Sequence, residues 1–388
     1  MRKPTQLETF DVLYGIIAKQ GGNALLGNDV DVVRKAYAKT LYGDAYPNII
    51  MEFPLLGTPG LDILAIYGEI EKSQFRDGAG YGYDDMFHWF SSLPTHHPCS
   101  MGLELDVSKG NIQQAGVYLQ QRSKYEYIHP FLESCGEAHR MDGLRQVIGR
   151  MPKDMPVSYI GLFPGREGTP MRIGGYMNDS LHKRVVETPK ALQETFDQLG
   201  FNAYDNDMIE RCSQYMGYVD SIDFQFDVMP DGSLGNVFGL SLSFNEYPPR
   251  LSKECMEQGS GSLLMKRLMD DGLVDERWKH IPGMVFAKGV PYETDDGTFG
   301  VFVVVSKMNY AKIKFKNGVA QPAKFYFKAI LYFCPNGSYK RHTILVLSLF
   351  QWSEPMYDAF RVFLIFAKKT WTRTPYAWNN VFRKGGKP

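Results

Sequence analysis

One hairpin near residue 320 carries the densest candidate chemistry in this chain. In MNYAKIKFKNGVAQPAKFYFKAI (308–330), Lys312, Lys314 and Lys316 recur at every second position, as do Lys324, Tyr326 and Lys328. Side chains two apart on an extended strand share a face. Each row therefore sets its cations on one side. Facing a cavity, such a row holds an anion; on an outer edge it is a common guard against edge-to-edge association. The spacing leaves both readings open. MRIGGYM (171–177) puts Arg172 and Tyr176 on one face, and QQAGVYLQ (113–120) aligns Tyr118 with Gly116 and Gln120. Carboxylates come from Glu104 and Asp106 in MGLELDV and from Asp223 and Asp227 in DFQFDV.

These residues sit in a recurring unit of two strands followed by helix. Its clearest copies are 101–120, 157–177, 222–244 and 308–330, each pairing two apolar-rich runs across a Gly/Pro/Asn/Asp turn. A shorter hairpin is expected at 48–55 and 61–68, a further strand at 301–306, and helices over 5–20, 28–42, 82–92, 126–150, 189–199, 205–217 and 251–273. The repeat spacing of roughly 60 to 80 residues is too long for the common solenoids. It suits an α+β fold: a closed antiparallel barrel of about ten strands surrounded by helices.

Alternation assigns the strand faces. Leu103, Leu105, Phe224, Phe226, Leu240 and Leu242 alternate with Glu104, Asp106, Gln225, Asp227, Ser241 and Ser243. The helices need an apolar surface to cover, so the polar residues are expected inside a wet lumen. An open sheet with one face in solvent gives the same alternation.

Composition excludes several classes. The 388 residues hold 43 basic and 43 acidic side chains, without the basic footprint of a general nucleic-acid binder. No apolar run reaches the roughly 18 residues of a membrane span. Five scattered cysteines with no CxxC, behind an N-terminus lacking an apolar signal region, fit reduced thiols and a cytoplasmic location. The expected division is one barrel domain over 1–332, with N-terminal helices in 1–45 and barrel repeats in 46–332. Residues 333–388 form an extension carrying nine Lys/Arg and three of the five Trp.

Other motifs are weaker. His96-His97 with Cys99 has metal-ligand residue types, but neighbours on an extended chain point opposite ways and Pro94 and Pro98 mark a loop. FPGREGTP (163–170) lacks the glycine-lysine ending of a P-loop and reads as a hairpin turn with Arg166 at its tip. DVMPDGSLG (227–235) lacks the final Glu of a Ca²⁺ loop, so Asp231-Gly232 reads as a turn. GSGS (259–262) reads as a flexible linker between helices.

In the order and shape of its segments, the chain resembles the ABBA-type (PT-barrel) aromatic and peptide prenyltransferases over roughly residues 45 to 330. GTPGLDILAIYG, DDMFHWFSSLPTHHPCSMGLELDVSKGNIQQAGVYLQ, ETFDQLGF with DSIDFQFDVMPDGSLGNVFGLSLSF, and YAKIKFKNGVAQPAKFYF carry the likeness. The resemblance implies a closed ten-stranded barrel in which an allylic diphosphate, such as dimethylallyl diphosphate, ionises and an aromatic small molecule or peptide side chain captures the cation. It implies Arg172, Lys312, Lys314 and Lys324 around the diphosphate, and Tyr118, Tyr176 and Tyr326 as shields. Glu104, Asp106 and Asp227 are implied as catalytic carboxylates, and Asp62 matches a position that holds Mg²⁺ in metal-dependent members. Lumen residues carry little core packing, so removing Arg172 or Lys324 is expected to leave the fold intact.

The chain also departs from that family. Inner strands there carry Lys or Arg two residues before Tyr. Here AKFYF keeps the pattern, Gly116 precedes Tyr118, and FGLSLSF has no basic residue. The alternative is a barrel that binds a peptide or small molecule in a natural-product pathway without diphosphate chemistry.

Overall fold

A computed structural model describes residues 6–27, 30–39, 48–68, 82–94, 97–106, 115–121, 125–163, 168, 170–244, 249–293, 297 and 299–335. His96, Arg166 and the extension beyond Pro335, including the apolar run 343–350, lie outside the described residues.

The strands are β1 (Asn48–Pro54), β2 (Asp62–Tyr67), β3 (Cys99–Leu105), β4 (Gly116–Gln121), β5 (Val157–Leu162), β6 (Met171–Met177), β7 (Ser221–Val228), β8 (Leu234–Ser243), β9 (Phe286–Glu293), β10 (Phe299–Lys316), β11 (Val319–Ala320) and β12 (Lys324–Pro335). β1 to β8 pair consecutively and antiparallel, β8 pairs with β10, β10 with β12, and β12 with β1. That order closes a ten-stranded barrel.

The expected strand at 301–306 is the first half of β10, which runs unbroken for 18 residues. A bulge between Met308 and Tyr310 separates its two roles. Before the bulge it pairs with β9, which the sequence reading did not separate out; after it, with β8. Asn317 and Gly318 turn the closing hairpin with φ of 51° and 79°, the sign of a type I′ turn that matches strand twist. Gly232, at φ 79°, forms the turn expected at Asp231-Gly232.

Helices cover the outside. They are α1 (Gln6–Ile17), α2 (Asn23–Leu26), α3 (Val30–Lys39), α4 (Asp84–Ser91), α5 (Ile128–Ser134), α6 (Met141–Arg150), α7 (Asp179–Glu187), α8 (Lys190–Leu199), α9 (Asn206–Met216), α10 (Pro249–Gln258) and α11 (Ser260–Asp270). α7 was not anticipated; Asn178 caps it, its side chain accepting from the Leu181 N–H. GSGS is no linker. Gly259 is the N-cap of α11, and a Cβ on Gly261 would meet Met256 Sδ at 2.5 Å, so these small residues let α10 and α11 pack closely.

The outward strand faces form the core. Leu103, Leu105, Phe224, Phe226, Leu240 and Leu242 are all buried there. Phe196 of α8 packs on Phe226 and Phe238 at centroid distances of 6.0 and 4.9 Å. Burying these faces drives closure, because the apolar alternate of each strand has no other surface to cover.

Candidate active site

The inward faces enclose a cavity of about 260 Å³. Its wall divides into two unlike halves.

One half, built by β10, β12, β1, β2 and β3, carries charge. Glu52, Asp62 and Glu104 line it with Lys312, Lys328, Tyr310 and Tyr326. Register explains the grouping, since Glu52 faces Tyr326 on one side and Asp62 on the other. Lys324 Nζ donates to Glu52 and, at 3.1 Å, to Asp62. Burial alone would lower the Lys324 pKa, but these two acids carry it above its ordinary value. Desolvation likewise pushes Glu52 up, yet Lys324 holds it below the usual carboxylate range. The expectation that Lys324 could be removed without harm to the fold is therefore corrected: two buried carboxylates depend on it.

Lys312 is different. It is 5 % exposed and makes no ion pair among the described residues. Its Nζ lies 5.6 Å from the Tyr326 ring centroid, within cation–π range. Desolvation, reinforced by the Arg172 charge, lowers its pKa to about 8. Lys328 is lowered by desolvation as well. Ser241 of β8 pairs with both Lys312 and Asp223, placing that acid one strand further round. Burial raises the Asp223 carboxyl to about 6 against the opposing pull of Lys312.

The other half, β4 to β8, is shingled. Tyr118 of β4 leans over Gly161 of β5, Tyr159 of β5 over Gly174 of β6, and Gln225 of β7 over Gly239 of β8. A Cβ on those glycines would come within 2.7, 2.1 and 3.0 Å of the leaning side chain. A Cβ on Gly116 would meet the Phe163 ring at 2.7 Å. This is the physical content of the missing cations: those lumen positions are glycine because a neighbouring side chain occupies the space. The Tyr118 hydroxyl donates to Glu104, and its ring meets those of Tyr159 and Phe163 edge-on at 5.7 and 5.3 Å.

The expected site residues are thus only partly brought together. Asp62, Glu104, Tyr118, Lys312 and Tyr326 line the cavity. Arg172 and Lys314 do not. Arg172 is buried, its Nε donating to Asp227 at 2.9 Å and its guanidinium 4.5 Å from the Phe163 centroid. Desolvation opposes its charge, but Asp227 raises its pKa overall. Asp227 is thereby committed to Arg172. Lys314 stands beside Gly239 in the register, Asp106 lies just past the end of β3, and Tyr176 is 51 % exposed at the rim. Glu52, Tyr159 and Tyr310 were missed. A lone carboxylate in the apolar run NIIMEFP was the available signal for Glu52, whereas Tyr159 and Tyr310 each sit at a register shift in their strand, where alternation does not give the face.

Asp62, the residue expected to hold Mg²⁺, is engaged by the Lys324 ammonium. Asp62 and Glu52 share the Lys324 ammonium, and among the described residues no group of three His, Cys, Asp or Glu is placed to hold a metal. Among the described residues, no helix is long and apolar enough to cross a membrane.

No protein-family model and no curated protein matches the chain. Solved structures that it resembles include a dimethylallyltryptophan synthase and the prenyltransferase PriB. It is similar to 5-dimethylallyltryptophan synthase from Streptomyces coelicolor at 11% identity and a TM-score of 0.48, covering 85% of this chain and 98% of that one. The complex of that enzyme with DMASPP and Trp gives 13% identity, a TM-score of 0.48, and coverage of 85% and 96%. The apo form of the prenyltransferase PriB gives 10% identity, a TM-score of 0.48, and coverage of 84% and 96%.

Proposed function

We propose that the barrel transfers an allylic prenyl group from its diphosphate to an aromatic small molecule or peptide side chain held in the lumen. Lys312 carries this reading. Among the described residues it makes no direct ion pair, and the more distant Glu52 and Glu104 only partly offset its desolvation. A buried cation in that position is costly, and an anionic ligand is the natural offset. Lys328, four residues from Lys324 along β12, adds a second desolvated ammonium on the cavity wall.

In this mechanism the diphosphate lies against Lys312 and Lys328. As the allylic C–O bond breaks, its electron pair leaves with the diphosphate, and the preorganised ammonium groups stabilise the growing charge. The allylic cation sits among the faces of Tyr118, Tyr159, Tyr310 and Tyr326. The acceptor ring supplies the electron pair of the new bond and then releases a proton to Glu104, which Tyr118 orients by its hydrogen bond. Arg172 and Lys324 reach the diphosphate only if it draws them from Asp227 and from Glu52 and Asp62.

A second reading has its own support. Arg172 and Lys324 are already neutralised, as suits a barrel that binds a peptide or small molecule without diphosphate chemistry. Calorimetric titration with dimethylallyl and geranyl diphosphates, with and without Mg²⁺, separates the two. Binding of at least one diphosphate is expected; binding of neither would favour the second reading.

A further inference from the structure

The shingled wall bears on what length of prenyl chain the lumen takes. Tyr159 is the shingle with the least freedom. Its ring lies directly on the backbone of β6, where a Cβ on Gly174 would stand 2.1 Å from Cζ and 2.3 Å from Oη. On its other side the Tyr118 ring meets it edge-on at 5.7 Å, and Tyr118 is itself seated on Gly161. Tyr159 lines the cavity, whereas Arg172 and Phe163 do not. The ring has main chain at its back, so it cannot retreat by a rotamer change.

The space in front of it is small. At about 260 Å³ the cavity falls below the roughly 300–1,000 Å³ of most small-molecule sites.

We propose that Tyr159 is a specificity-determining residue that limits the donor to the five-carbon dimethylallyl chain, with Gly174 as the seat that fixes its ring. The inference rests on the prenyl-transfer reading and adds the donor class to it. The phenol removed by Tyr159→Ala contains more heavy atoms than one isoprene unit. Because the facing residue is glycine, no side chain of β6 fills the space left behind, and the void opens into the lumen.

The experiment is calorimetric titration of the full chain, its Tyr159→Ala and Tyr159→Phe variants, with dimethylallyl and geranyl diphosphates. The wild type is expected to favour the shorter donor by roughly tenfold or more, the scale on which apolar pockets discriminate by size. Tyr159→Ala is expected to abolish or invert that preference. Tyr159→Phe, which keeps the ring, is expected to retain it. Tyr159→Leu provides the same comparison with a smaller shift should the alanine variant fail to fold. Equal affinity of the wild type for both donors overturns the inference, as does an unchanged preference in the Ala or Leu variant that still binds the shorter donor. In both cases diphosphate binding persists, so the transfer reading stands. Binding of neither donor to the wild type overturns that reading first, and the length limit with it.

Discussion

The two halves of the lumen solve different problems. Strands β10, β12, β1, β2 and β3 place Lys312, Lys324, Lys328, Glu52, Asp62 and Glu104 in a low-dielectric wall, where each charge must find a partner or stay costly. Strands β4 to β8 place glycines beneath side chains that lean across them, and their one buried cation, Arg172, is tied to Asp227. The first half is built to meet charge. The second sets volume. Substitutions in the two halves should therefore fail in different ways.

The largest expected effect lies in the charged half. Lys324→Met leaves Glu52 and Asp62 buried without their cation, and breaking such a pair costs about 3–5 kcal/mol. Urea denaturation at neutral pH should show that loss, and the triple variant with Glu52→Gln and Asp62→Asn should recover much of it. A Lys324→Met protein as stable as the wild type would contradict the ion-pair account.

Lys312 predicts a pH dependence of known sign. Its pKa is about 8 in the fold against an ordinary 10.5, so between those values the unfolded chain binds more protons than the folded one. Stability from this group is complete above the unfolded value and is lost as pH falls through that window, by on the order of 3 kcal/mol. The wild type should gain stability from pH 8 to 10.5 relative to Lys312→Met. Parallel stability curves for the two proteins would show that Lys312 is not desolvated.

In the shingled half, cost should follow what a new Cβ strikes. Gly174→Ala drives a methyl into the seated Tyr159 ring, an overpacking penalty of about 1–3 kcal/mol that Tyr159→Ala in the same protein should relieve. Gly239→Ala brings its methyl only to 3.0 Å from Gln225 Cβ, against 2.1 Å from the ring at Gly174, and should cost less. Equal costs would mean that the rings are not seated.

The smallest effect concerns Asp223. Burial raises its carboxyl to about 6, so as pH rises from 5 to 7 it becomes an anion near Lys312. Affinity for dimethylallyl diphosphate should fall across that range by a few-fold, on the order of 1 kcal/mol for one partly screened charge. Asp223→Asn should flatten the change; an identical profile in the variant would remove Asp223 from the site.

Most of the barrel was legible because alternation is a local signal. Glu104 beside Leu103 and Leu105 already says which way each side chain points. The closure of β8 onto β10 was less so, because the bulge at Met308/Tyr310 is a consequence of two partner strands and not of the residues there. The site was legible for Lys312, Tyr326, Tyr118 and Glu104, whose parity decides their face. It was not legible for Arg172 or Tyr176, which share a face. Arg172 is diverted by Asp227 across the β6–β7 pairing, and Tyr176 falls at the rim. Nor could Gly174 disclose itself, since a glycine in a strand reads as weakness until the ring above it is seen.

The central claim is that charge recognition resides in Lys312 and shape in Tyr159. It is tested most directly by titrating the wild type, Lys312→Met and Tyr159→Leu with inorganic diphosphate, which has charge and no prenyl chain. The account predicts that Lys312→Met loses roughly tenfold or more in affinity, as truncation of a buried charge contact does, while Tyr159→Leu stays within about threefold, the range of an indirect effect. Unchanged affinity in Lys312→Met, or an equal loss in both variants, would contradict it.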